Sequence, residues 1–122
     1  MCKLVPYGKD QWVADIKLRH IKNIAEQAQR AKNIDRIMLF GSATEERCKE
    51  TSDIDIAVFG KETKGKYIDS KEFTAFHDAL YRFDWNQDYD VLYFQDGVEH
   101  HSPIMDDIID GVEIFRRSQA RN

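Results

Sequence analysis

Two aspartates stand one residue apart at the start of an apolar run, Asp53-Ile54-Asp55-Ile56, which continues to Phe59. The run is short and rich in β-branched residues, so it predicts a strand. Because side chains alternate between the faces of a strand, both carboxylates face one way and both isoleucines face a packed layer. Two neighbouring carboxylates repel each other, and a divalent cation relieves that repulsion. The alternative is an edge strand whose acids lie in solvent and block pairing with other chains.

A Gly-Ser pair follows the preceding apolar run, which spans residues 35–40 and also predicts a strand. Ten residues separate Gly41-Ser42 from Asp53. Glycine lets a phosphate approach the backbone closely, N–H groups at a helix start favour anions, and serine adds a hydroxyl donor. The pair is therefore a candidate phosphate-binding turn. The alternative is an ordinary strand-to-helix turn in which Ser42 caps the helix.

A third acid comes from the apolar run at residues 88–94, which predicts another strand. If this strand neighbours the strand that holds Asp55, Asp90 joins Asp53 and Asp55 on one face. Three convergent carboxylates suit a two-metal site for phosphoryl transfer, in which the ions clamp the attacking and leaving oxygens. Asp90 is then either the general base for the attacking hydroxyl or a ligand of the second metal. Asp88 on the same face is an alternative, and a solvated acid at a strand end is another.

The remaining segments complete an α/β pattern. A stripe of apolar side chains ending at Phe83 predicts a helix, with Asp69 as its cap and Glu72 in capping-box position. The predicted elements are, in chain order, a helix at 10–32, a strand at 35–40, a short helix after Gly41, a strand at 53–59, a loop at 60–66, a helix ending at Phe83, a strand at 88–94, a short helix at 103–110 and a strand at 112–115. This order predicts one domain over residues 1–122, α/β (α+β) in class, with a small mixed sheet and helices mainly on one side.

Composition limits the kinds of partner and the cellular location that the sequence predicts. The 122 residues carry a net charge of −4, with 22 acidic and 18 basic side chains, which argues against a broad nucleic-acid surface. No apolar stretch approaches the ~20 residues of a membrane span, and the N-terminus lacks the apolar block of a secretory signal. Cys2 and Cys48 have no metal-ligand spacing, so we expect free thiols and a cytoplasmic location.

The spacing of Gly41-Ser42 and Asp53-Ile54-Asp55 between apolar residues resembles the signature of DNA polymerase β-like nucleotidyltransferases. The short chain resembles the minimal nucleotidyltransferase (MNT) branch, many of whose members are antitoxins encoded beside a HEPN-domain toxin. The resemblance covers most of the chain. It implies a palm-like sheet, a Gly41-Ser42 turn on the triphosphate, and Asp53, Asp55 and Asp90 as catalytic and metal-binding acids.

The resemblance also implies a reaction and partners. A nucleoside monophosphate, AMP from ATP, is transferred with Mg²⁺ in a two-ion site to a hydroxyl group, and pyrophosphate is released. In antitoxin members the acceptor is a tyrosine of the HEPN toxin. An RNA or small-molecule acceptor, such as an aminoglycoside, is a minor alternative, and a homo-oligomer is compatible with the sequence.

One departure from the family pattern motivates a different class of function. Relatives commonly continue Gly-Ser with x-Ala-Arg-Gly, whereas this chain has Glu45 and Glu46 at the Arg and Gly positions. Negative charge thus replaces positive charge near the expected phosphates. Arg47 or Lys49 can substitute, although a solvated basic side chain is the simpler interpretation of each. The alternative to an enzyme is therefore a non-catalytic antitoxin that neutralises its partner by forming a complex.

Overall fold

The computed structural model describes residues 1–117. The elements are β1 (Leu4–Pro6), β2 (Trp12–Ala14), a 3-10 turn (Asp15–Lys17), α1 (Leu18–Gln29), β3 (Ile34–Phe40), a second 3-10 turn (Gly41–Thr44), β4 (Ile54–Gly60), α2 (Lys64–Ile68), α3 (Lys71–Phe83), β5 (Tyr89–Gln95), α4 (Ile104–Ile109) and β6 (Val112–Arg116). None of the helices in this part of the chain has the length and apolar character needed to cross a membrane.

The main sheet has four strands in the order β5-β4-β3-β6. β4 and β6 pair antiparallel with β3, whereas β5 runs parallel to β4. The parallel pair requires a crossover, which α2 and α3 provide. The predicted α+β class with a small mixed sheet is confirmed.

The two faces of the sheet are covered unequally. On one face α1 and α3 pack against alternate strand residues and form the main core, whose buried members include Ile21, Ile24, Ala28, Ile37, Leu39, Ile54, Ile56, Phe76 and Leu80. On the other face the short α4 covers a smaller cluster: Met38, Phe40, Ala57, Phe59 and Ile108. Asp55 alternates with Ile54 and Ile56, so it lies on the α4 face, where the sheet is open.

The N-terminal prediction of a helix from residue 10 is wrong. The first residues form a small antiparallel hairpin, β1 with β2, and α1 begins at Leu18. The connection turns through left-handed backbone at Gly8 and Asp10, with φ of 70° and 59°. Val13 is buried. Its position fits the apolar spacing of a helix and also the alternation of a strand, so periodicity alone does not distinguish a helix from a strand here.

Two further details differ from the predictions. Ser70, not Asp69, caps α3, because its hydroxyl oxygen accepts a hydrogen bond from the Phe73 N–H at 3.1 Å. Glu72 instead accepts a hydrogen bond from the Asn33 N–H at 3.2 Å, which ties α3 to the loop before β3. Part of the predicted loop at 60–66 is helical, since α2 begins at Lys64. The predicted bounds of the four strands of the main sheet, and of the short helix that begins after Pro103, agree with the structure to within a residue or two.

Candidate active site

The sheet register gathers the predicted site residues at one end of the main sheet. Phe40, the last residue of β3, pairs with Asp55 on β4. Asp55 also pairs with Asp90 on the parallel strand β5. Asp53 lies immediately before β4, and both Asp53 and Asp90 are exposed. The structure therefore brings the two acid-bearing strands side by side, with the Gly-Ser turn on the other side of Asp55.

Gly41 lies against the Asp55 carboxylate, which occupies the space that a side chain at position 41 would need. Its φ is +74°, a left-handed conformation that side chains rarely adopt. A Cβ built at this position would lie 2.3 Å from Oδ2 of Asp55, well inside van der Waals contact. The backbone of the turn and the carboxylate are thus in direct contact. A larger residue at position 41 would therefore displace the Asp55 carboxylate.

Electrostatics mark Asp55 as the acid at the centre of the site. Burial raises the pKa of Asp55, and the negative charges of Asp90 and Asp53 raise it further. The positive charge of Arg47 opposes that shift. The negative charges of Asp53 and Asp90 therefore act on Asp55, and a divalent cation would relieve this repulsion.

A cavity of about 400 Å³ opens beside Asp55. This volume falls within the usual range for small-molecule sites. The residues that line it come from the end of β3, the following turn, β4 and α4: Phe40, Gly41, Thr44, Glu45, Arg47, Asp55, Ile104, Asp107, Asp110 and Gly111. Of the five residues predicted for the site, only Gly41 and Asp55 line this cavity. Ser42 is a half-buried residue of the turn, and its backbone carbonyl oxygen accepts a hydrogen bond from the Glu45 N–H at 2.9 Å.

The sequence model of the family described as Polymerase beta, Nucleotidyltransferase matches residues 22–120. The chain belongs to the polymerase β nucleotidyltransferase family. A candidate nucleotidyltransferase from Sulfolobus solfataricus, whose crystal structure is known, has a similar fold, with a TM-score of 0.53 and 20% identity over 84% of this chain and 86% of that chain. No curated protein matches the chain significantly. Family membership supports the transfer of a nucleoside monophosphate as the class of reaction.

Nucleotidyltransferases of this family generally use a nucleoside triphosphate and a divalent metal, and the acids present fit such an ion. Mg²⁺ usually takes one or two carboxylates, keeps several waters, and is completed by substrate phosphates. Asp55 and Asp90 share one register position, and Asp53 lies two residues before Asp55 in the chain, so these acids supply such oxygen donors. Within residues 1–117, no three Asp, Glu, His or Cys side chains are placed so that they coordinate a single ion together. The three-aspartate ligand set accordingly stays a prediction.

Arg47 lies on the cavity wall, whereas the sequence favoured a solvated side chain without a role in the site. It lines the cavity, and its Nε donates a 2.7 Å hydrogen bond to Oε1 of Glu45. Lys49 does not line this cavity. Glu45, which stands where relatives commonly carry Arg, thus holds the one basic side chain among the cavity-lining residues. Asp107 and Asp110 were not predicted either, because acids on a short helix carry no signal of their own.

We expect the Glu45 to Arg47 pair to control binding of the triphosphate. Replacing Glu45 by Gln removes the negative charge that holds the guanidinium and should lower the KM for the nucleoside triphosphate roughly 3- to 10-fold, a change on the scale of the net contribution of one hydrogen bond. Arg47→Gln should raise the KM by a similar factor. Steady-state kinetics check both, with Lys49→Gln as the control that leaves the KM unchanged. Equal KM values for all variants would show that Arg47 does not contact the nucleotide.

Proposed function

We propose that the chain transfers AMP from ATP, with Mg²⁺, to a hydroxyl group of a partner protein, and that this partner is a HEPN-type toxin encoded beside it. Family membership supports the class of reaction. The resemblance to minimal nucleotidyltransferase antitoxins supports the donor and the acceptor. The observation that carries the proposal is the register that pairs Asp55 with Asp90 while Gly41 packs against the Asp55 carboxylate.

Each residue has a defined part in the reaction. The Gly41-Ser42 turn receives the phosphates, since its backbone can be approached closely. Magnesium, when bound by Asp53, Asp55 and Asp90, supplies charge neutralisation for the phosphates and for the leaving pyrophosphate. Arg47 adds positive charge on the cavity wall. The open sheet face leaves exposed Asp90 accessible to an acceptor.

The chemical step balances without further reactants. The acceptor hydroxyl oxygen forms a bond to the α-phosphorus, and the bond from that phosphorus to the bridging oxygen of the β-phosphate breaks. Pyrophosphate leaves with the electron pair. Asp90 takes the proton of the hydroxyl as general base, a role typically worth about 10²–10⁴-fold in rate. The products are an AMP-modified hydroxyl and pyrophosphate.

Incubation with α-labelled ATP, Mg²⁺ and the product of the neighbouring gene tests the proposal. The wild type should label the partner, and Asp53→Ala/Asp55→Ala should not. Competition with unlabelled GTP, CTP and UTP checks the choice of ATP. Equal labelling by wild type and variant would contradict the proposal for that acceptor.

A second candidate function is neutralisation of the partner by complex formation alone. The single basic side chain on the cavity wall is paired with Glu45, an arrangement that would leave less positive charge for phosphates. Large apolar side chains are also available for an interface, since Trp85 is 75% exposed and Phe83 is 42% exposed. In this case Asp53→Ala/Asp55→Ala should still neutralise the toxin in cells. Loss of neutralisation by a variant that still folds and binds the partner would exclude complex formation as the mechanism.

A further inference from the structure

A buried lysine lies behind the candidate active site. Lys17, the last residue of the 3-10 turn before α1, is 1% exposed, although its ammonium group normally lies in water. Its Nζ donates hydrogen bonds to the carbonyl oxygen of Glu50 at 2.9 Å and to Oε1 of Gln87 at 2.6 Å. Burial lowers the pKa of Lys17, while the negative charges around it, Asp53 among them, oppose that shift.

Gln87 continues the network toward both acid-bearing strands. It is 4% exposed, and its Nε2 donates to the carbonyl oxygens of Ser52 at 3.1 Å and Asp88 at 2.7 Å. Ser52 directly precedes Asp53, and Asp88 lies two residues before Asp90. The Asp88 carbonyl oxygen also accepts a hydrogen bond from the Ile54 N–H at 3.0 Å. This bond links the start of β4 to the residue before β5.

The placement of this network is hard to explain by stability alone. Burying an ammonium group is costly unless it is paired and hydrogen-bonded, and an apolar side chain of the same shape often serves stability equally well. The groups that Lys17 and Gln87 hold are the chain segments immediately before Asp53 and Asp90. The parallel pairing of β4 with β5 begins at this point.

We propose that Lys17 and Gln87 are positioning residues, which set the relative placement of Asp53, Asp55 and Asp90 by clamping the backbone before each acid-bearing strand. The inference rests on the proposed function of these acids in holding a divalent cation. Groups that orient metal ligands typically contribute 10- to 100-fold to metal affinity. The predicted consequence is a metal affinity that depends on two side chains outside the cavity.

Mn²⁺ binding, measured by electron paramagnetic resonance of free Mn²⁺ at neutral pH, tests the inference on the whole chain. The double variant Lys17→Met/Gln87→Met removes both partners of the hydrogen bond between these side chains, and the carbonyl oxygens of Glu50 and Ser52 lose their donors. Circular dichroism checks that the variant is folded. We expect its Mn²⁺ dissociation constant to rise about 10-fold. Lys17→Met alone leaves no buried ammonium group unpaired, so it serves as the test variant if the double variant does not fold, and it should give a smaller rise.

The direction of the change in the Mn²⁺ dissociation constant distinguishes a positioning effect of Lys17 from an effect of its charge. Removing the positive charge of Lys17 would by Coulomb's law tighten the binding of a nearby cation. An unchanged or lower dissociation constant would therefore overturn the inference. Ile24→Val, a change in the core face of α1, provides a control of comparable destabilisation that should leave Mn²⁺ affinity unchanged. Should wild type bind Mn²⁺ no better than Asp53→Ala/Asp55→Ala, the proposed metal site itself is wrong and the inference falls with it.

Discussion

Replacing Asp55 by Asn is expected to lower nucleotidyl transfer about 10²–10³-fold and, at the same time, to raise the melting temperature by a few degrees at pH 7. The loss follows from removing the carboxylate at the centre of the site, where it contacts Gly41 and faces Asp90. The gain follows from removing a charge that the folded state tolerates poorly. A residue that served only the fold would not show these opposite effects.

The pH dependence of that stability gain has a definite sign. Burial and the charges of Asp90 and Asp53 raise the pKa of Asp55 above its unfolded value. The folded protein therefore holds the proton more tightly than the unfolded chain, and ionisation of Asp55 destabilises the fold as pH rises through this range. The stabilisation by Asp55→Asn should be full at pH 7, decline as pH falls through the raised pKa, and vanish below about pH 3.

Thermal melts of wild type and Asp55→Asn without divalent cations between pH 3 and pH 8, together with transfer assays with Mg²⁺ at pH 7, check both effects. Asp96→Asn is a matched control, since Asp96 is an exposed acid just after β5. It should change neither the transfer activity nor the melting temperature at pH 7. A lower stability of Asp55→Asn than of wild type at pH 7 would show that burial and the charges of Asp90 and Asp53 do not destabilise ionised Asp55 in the folded protein.

The strands that carry the site could be predicted because each is a short apolar run bounded by turn residues. Alternation placed Ile54 and Ile56 in the core, and the structure agrees. The sequence could not show that β5 runs parallel to β4 with Asp90 opposite Asp55, because pairing depends on the crossover through α3. The suggestion that Asp90 shares the face of Asp55 rested on the condition that the two strands are neighbours, and the register fulfils that condition.

The parts that could not be predicted depend on contacts distant in the chain. Lys17 and Gln87 are 70 residues apart, and neither belongs to a recognisable motif. Nothing in the local pattern distinguishes a lysine whose ammonium is buried from one on the surface. The N-terminal hairpin could not be predicted for a different reason. Its strands have only three residues each, and Val13 fits both the helical and the strand period.

Gly41→Ala should give the other large effect, a loss of transfer of about 10²-fold or more with only a modest loss of stability. An added methyl group would lie 2.3 Å from Oδ2 of Asp55, so the carboxylate must move. Because that oxygen is the end of a flexible side chain, the movement costs the fold little. The reacting groups are less tolerant, since a misplacement of about 1 Å can cost 10²-fold in rate.

Gly8→Ala is the matched control for this substitution. Gly8 has a φ of +70°, close to the +74° of Gly41, but no atom lies within 4 Å of a Cβ built there. Both variants pay the left-handed strain of about 1–2 kcal/mol, measurable by chemical denaturation. Only Gly41→Ala should also lose transfer activity. Because the backbone cost is common to the two variants, the difference in kcat isolates the contact between the turn and the Asp55 carboxylate. Equal activity of the two variants would mean that this contact does not contribute to catalysis.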